Sequence, residues 1–137
     1  MRVLVLDDDD TRHKTFAQNL IGNIVVHVRT YDEFEEALEG EAFDVVYLDH
    51  DLNMYQYRSL DYSDYGYAGA RELTGQDCAR LLLKLPEAKQ PHLIVIHSFN
   101  PEGAKAIRSI LLGARGRVVQ ELFCASSGTG LQVESNR

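Results

Sequence analysis

Ionisable residues collect at three points of this chain. Asp7-Asp8-Asp9-Asp10 follows the apolar run Arg2–Leu6, Asp49-His50-Asp51 follows Phe43–Leu48, and His97-Ser98-Phe99-Asn100 follows His92–Ile96. Several carboxylates brought together cannot all stay ionised without a counter-ion. A divalent cation meets that need. An all-oxygen shell suits Mg²⁺ or Mn²⁺, and added imidazole moves the preference toward Mn²⁺ or Zn²⁺. Asp7, Asp8, Asp49 and Asp51 are therefore candidate metal ligands, with Mg²⁺ or Mn²⁺ the expected ion, while Asp9 and Asp10 read as solvated caps of a helix. His50 and His97 form a second constellation. Imidazole titrates nearest neutrality of all side chains, so two of them facing one void can act as base and acid on one reacting bond. Strand alternation sets a condition: His50 and its aspartate neighbours share a crevice only if the chain has already turned out of the strand. His13, His27 and His92 read as structural residues.

The elements that must position these residues follow from periodicity. Short apolar runs without a helical repeat predict buried strands at 2–6, 24–28, 43–48 and 93–96, and a weaker fifth at 117–123. Between them lie helical stripes. Asp10 is the expected cap of a helix over 11–21 with Phe16, Ala17, Leu20 and Ile21 inward and Gly22 as its stop. Thr30 opens a capping box, followed by a helix with Phe34, Ala37 and Leu38 inward that ends at Gly40. A third helix starts at Thr74, turns Cys78, Leu81, Leu82 and Leu85 inward, and ends at Pro86. Asn100 with Pro101 opens a fourth that runs to about 112, with Ala104, Ile107, Ile110 and Leu111 inward. Residues 52–73 have no clear period and hold five of the seven tyrosines. A connection that long inside a compact domain is usually functional or disordered.

The order βαβαβ, insertion, αβαβ describes a single α/β domain over 1–123 with a mostly parallel sheet, followed by a tail over 124–137. In such sheets the ligand crevice lies outside the carboxyl ends of the strands, where all three ionisable groups fall. Composition is ordinary for a globular chain, with 45% hydrophobic and 26% charged residues. A net charge of −7 argues against duplex nucleic acid as a partner. The two cysteines, Cys78 and Cys124, form neither a disulfide framework nor a zinc spacing. With no signal peptide and no apolar run near about 18 residues, a cytoplasmic protein without a membrane span is expected.

In this order of elements, with Asp7-Asp8-Asp9 after strand one, Asp49 ending strand three and Ser98 just after strand four, the chain resembles a response-regulator receiver domain over roughly residues 1–123. The resemblance implies a flavodoxin-like, doubly wound, parallel five-stranded sheet of order 2-1-3-4-5. It also places the acidic run at the receiver's metal site, Asp49 at the phosphoacceptor and Ser98 at the Ser/Thr switch position. Three departures stand out. No lysine follows strand five, where Val118-Val-Gln-Glu-Leu122 stands. No fifth helix is visible. The additions Asp49-His50-Asp51 and His97-Ser98-Phe99-Asn100-Pro101, with a long insertion after strand three, are not receiver features. In these additions the chain is similar to the divergent cyclic-phosphate-processing receiver domains. That resemblance implies a substrate class: a cyclic phosphate on a nucleotide or an RNA end, opened with a base on the attacking water and an acid on the leaving oxygen.

Ligand contacts are then expected from several residues. Ser98 and Asn100 can hydrogen-bond a phosphate at the start of the fourth helix. Arg12 opposes the dipole of the first helix and is a candidate phosphate clamp. Within the insertion, read as a lid, Tyr55 and Tyr57 can stack on a base, and Arg58 and Arg71 can pair with phosphate oxygens. The missing fifth helix leaves apolar surface near strands one and five, which a homodimer or the folded-back tail would cover. Three functions are compatible with these residues: a metal-assisted cyclic phosphodiesterase using His50 and His97, a non-catalytic module binding a nucleotide or protein partner, and an ordinary receiver phosphorylated on Asp49. The absent lysine weighs against the last.

Overall fold

Runs such as Val3-Leu-Val-Leu6 and Leu93-Ile-Val-Ile96 are apolar on both faces because they become strands covered on both faces. The computed structural model describes residues 1–52, 73–98 and 100–121. Its elements are β1 (Arg2–Leu6), α1 (Asp10–Asn19), β2 (Ile24–Val28), α2 (Tyr31–Gly40), β3 (Val45–Leu48), α3 (Gly75–Lys84), β4 (Leu93–Ile96), α4 (Pro101–Ile110) and β5 (Arg117–Gln120), with 3₁₀ turns at Glu87–Lys89 and Leu111–Gly113. The five strands form one parallel sheet in the order β2-β1-β3-β4-β5, as the resemblance implies.

Alternation divides the core in two. Val3, Val5, Val45, Tyr47, Leu93 and Val95 face α1 and pack with Phe16 and Leu20. Leu4, Leu6, Val46, Leu48, Ile94 and Ile96 face α2, α3 and α4, and pack with Phe34, Cys78, Leu82, Ala104 and Ile107. Register aligns Leu6, Leu48 and Ile96 across the sheet.

The ladder then continues one rung beyond the apolar runs. Asp7 N–H donates to Val28 O, Asp49 N–H to Leu6 O, His97 N–H to Leu48 O and Glu121 N–H to Ile96 O. Asp7, Asp49, His97 and Glu121 therefore keep the strand alternation and belong to the α1 side, whereas His50 and Ser98 belong to the other.

Capping explains the helix starts. Asn100 Oδ1 accepts from Gly103 N–H, and Thr74 forms a complete capping box with Asp77. On α1 the cap is Asp9 rather than Asp10, its carboxylate accepting from Arg12 N–H at 3.0 Å. The inward stripe also differs from the one expected. His13, Phe16 and Leu20 are buried, while Ala17 is exposed and Ile21 is 81% exposed. No described helix is long and apolar enough to cross a membrane. Residues 53–72, Phe99 and 122–137 lie outside the described residues. With them go the expected lid, its Tyr55, Tyr57, Arg58 and Arg71, the tail, the missing fifth helix and the surface argument for a homodimer.

Candidate functional site

The first rung above the sheet is where charge collects. Asp7 and Asp49 leave adjacent strands on the same face, both buried, and Asp8 joins them at the start of the loop. One carboxylate oxygen from each lies within 4.8 Å of the others. Arg12 closes this triad. Its Nη2 donates to Asp7 Oδ1 at 2.8 Å and lies 3.4 Å from both Asp8 Oδ1 and Asp49 Oδ2, while its Nε also donates to Asp7 Oδ1 at 3.1 Å. Among the described residues, three carboxylates meet one guanidinium here. Burial and then the neighbouring charge of Asp7 push the Asp49 carboxyl up to about 8, with Asp8 and Asp51 adding to the effect and Arg12 opposing it. For Asp7, burial acts upward, but the hydrogen bond and charge of His97 and the bonds from Arg12 outweigh it and leave the carboxyl below its ordinary range.

The donor set suits a hard divalent cation. Three carboxylate oxygens converge, burial and the charge of Asp7 push one of the carboxyls up, and oxygen ligands match Mg²⁺ or Mn²⁺. Asp51 is not part of this set. It is exposed and turned toward α4, where its Oδ1 accepts from Asn100 Nδ2 at 3.2 Å.

His97 sits on the same rung, completely buried. Its ring contacts Phe16 and Tyr47, with centroids 5.2 and 6.1 Å away, and its Nε2 lies 2.9 Å from Asp7 Oδ2. Burial pushes the imidazole below its ordinary value against the opposing pull of Asp7. The geometry is that of a neutral ring donating Nε2–H to an ionised carboxylate, which fixes the rotamer of Asp7.

His50 goes the other way. Its Nδ1 lies 2.7 Å from Asp51 Oδ1 and its Nε2 lies 3.0 Å from Gln76 Nε2. With Asp51 accepting from Nδ1–H, the Nε2 lone pair can accept from the Gln76 amide, so both ring nitrogens are held in place. Two glycines make this corner close-fitting. A Cβ on Gly103 would stand 2.4 Å from His50 Cγ, and one on Gly75 would stand 2.1 Å from Asp49 O. Gly75 N–H also donates to His50 O at 2.9 Å. The first turns of α3 and α4 thus close directly on the Asp49–His50 peptide and its imidazole.

The structure therefore corrects the expectation that His50 and His97 face one void. Because the ladder extends past Leu48 and Ile96, alternation sends Asp49 and His97 to the α1 side and His50 to the α4 side. Asp7, Asp8, Asp49, Arg12 and His97 come together, and His50, Asp51, Asn100 and Gln76 form a second group. Ser98 is buried and its Oγ accepts from Asn100 N–H at 3.0 Å, which makes it part of the turn into α4. Gln76, Gly75 and Gly103 were not anticipated from the sequence. The available signal was a glycine inside the first turn of a helix, where its cost needs a compensating close approach.

Comparison with known proteins agrees with this architecture. Residues 2–113 match a family model described as the cyclic-phosphate processing receiver domain. No curated protein matches. Similar solved structures include a CheY-like response regulator receiver domain from Methylobacillus flagellatus, with 16% identity, TM-score 0.67, and 100% of this chain and 98% of that one covered. The response regulatory domain of mrkE from Klebsiella pneumoniae has 14% identity and TM-score 0.67, covering 99% and 96%. NtrX from Brucella abortus has 19% identity and TM-score 0.66, covering 98% of this chain and 27% of that one. At these identities the structures speak for the fold alone.

Proposed function

The chain belongs to the cyclic-phosphate processing receiver domain family, and from that premise we propose that it is a metal-assisted phosphoesterase acting on a cyclic phosphate of a nucleotide or an RNA end. The observation that carries this reading is the convergence of Asp7, Asp8 and Asp49 on one point, with the Asp49 carboxyl pushed up by burial and by the charge of Asp7. A divalent ion held there would polarise a phosphoryl oxygen and offset the charge that develops on it. Arg12 shares the oxygens such an ion would take. With an ion bound, its guanidinium would be released to meet the phosphate with two parallel N–H groups. His97 holds Asp7 in the orientation the ion requires and is a positioning residue.

Proton transfer falls to His50. Asp51 fixes Nδ1–H, so Nε2 can take a proton from water or a hydroxyl once the Gln76 amide yields its place, and then return it to the leaving oxygen. Asn100 steadies Asp51 from the cap of α4. This single Asp–His pair replaces the in-line pair of histidines that the sequence suggested.

The test separates metal from chemistry. Mn²⁺ binding, followed by electron paramagnetic resonance, is expected in the natural protein and in His50→Ala, and is expected to disappear in Asp49→Asn. Turnover of 2′,3′-cyclic nucleotides is expected only in the natural protein. Metal bound with no turnover across cyclic nucleotides and cyclic-ended RNA would overturn the enzyme. That outcome favours the second reading, a non-catalytic module binding a nucleotide or protein partner, which draws support from the separation of the two imidazoles.

A further inference from the structure

One edge of the sheet lacks the devices that usually keep edges from pairing. β2 reads Ile24-Val-Val-His-Val28, with no lysine, proline or bulge, although an outer strand of this kind is a template for another strand. Ile24 N–H donates to Met1 O and Val28 O accepts from Asp7 N–H, so in this parallel pair Ile24, Val26 and Val28 bond to β1. Val25 and His27 consequently turn their N–H and C=O groups outward, where no described residue meets them. Exposed apolar side chains continue the edge at its start: Ile24 is 56% exposed and Ile21 81%.

Beside this edge runs a groove of about 380 Å³ between β2 and α2, lined by Val26, Val28 and Ala37 and by Glu33, Glu36 and Glu41, of which Glu41 already pairs with Arg2 and Glu33 accepts from Arg29 N–H. Residues 31–41 contain six carboxylates and no lysine or arginine. We propose that the β2 edge and this groove form a docking site for an extended basic peptide of a partner protein. The peptide would add a sixth strand through Val25 and His27 and set lysines or arginines against the glutamates. Charge selects this occupant over a second copy of the chain. A two-fold β2–β2 pairing would place two acidic α2 helices on one face of the joined sheet, in a protein of net charge −7.

The probe is an acetylated octapeptide of alternating lysine and valine, with a glutamate–valine octapeptide as control, added to the full chain. Amide shifts in two-dimensional NMR are expected at Val25 and His27 with the basic peptide alone, weakening as salt is raised. Glu36→Lys is expected to weaken binding about five-fold or more. Val25→Pro removes an outward N–H that the ladder with β1 does not use, so the sheet tolerates it while strand addition is lost. Equal binding of both peptides, binding unchanged in both variants, or a dimer that Val25→Pro dissolves would each overturn the proposal.

Discussion

Two neighbouring corners of the same sheet edge are built in opposite ways. On the α1 side, Asp7, Asp49 and His97 are locked in the ladder and buried, His97 against Phe16 and Tyr47, and burial with the charge of Asp7 pushes the Asp49 carboxyl up. On the α4 side, the His50 side chain is 12% exposed, packs against Gly103, and is held by two polar contacts that can be exchanged, Asp51 and Gln76. In the function proposed above, the first corner would hold a cation and the second would move a proton. Consecutive residues, Asp49 and His50, serve the two corners because alternation turns them to opposite sides.

The comparison breaks most sharply at Asp49. Asp49→Asn keeps shape but removes a ligand and one of the crowded charges. Metal affinity is expected to fall more than about 100-fold, while the metal-free protein gains stability, read by chemical denaturation with and without Mg²⁺. If both quantities are unchanged, the buried corner holds no cation.

Proton linkage gives the next largest effect. The folded Asp49 carboxyl is raised from 3.8 to about 8, so the native state holds a proton that the unfolded chain has released. Stability of the metal-free protein should therefore decline as pH rises from about 4 to about 8 and level off above. Metal binding needs the ionised form, so its affinity should climb by up to about ten-fold per pH unit toward pH 8, with close to one proton released per ion. Calorimetry in buffers of different ionisation enthalpy counts that proton.

His97→Ala should cost about 2–4 kcal/mol, because it opens a cavity and leaves Asp7 without its donor. The discriminating readout is metal affinity, expected to fall about 10–100-fold as for an outer partner of a ligand, with no change in the pH profile of turnover at the His50 corner. The smallest effect on the fold belongs to Gly103→Ala. A Cβ there displaces the imidazole of His50, so turnover should drop while Mn²⁺ binding stays at its natural level. Coupled loss of both would mean the two corners are one.

Much of this was legible in the sequence. The strands 2–6, 24–28 and 93–96, the caps Thr30, Thr74 and Asn100, and the convergence of Asp7, Asp8 and Asp49 all follow from local chemistry and period. Two features were not, and both turn on a single residue. α1 is capped by Asp9 instead of Asp10 and turns His13 inward, where its Nε2 reaches Asp7 O at 2.7 Å and its Nδ1 reaches His27 at the same distance. The extra rung of the ladder reverses the side to which His50 points. No propensity reports where a strand stops to within one residue, because hydrogen bonds across strands decide it.

That extra rung has a mechanical result. The backbone carrying the carboxylates is clamped by the same cross-strand bonds as the middle of the protein, so it has no private way of loosening. Amide hydrogens at positions 7, 49 and 97 should exchange with solvent deuterium only as fast as the whole domain opens. Whatever reaches the buried carboxylates must come down from above the strand ends, and must fit a cup that does not flex to receive it.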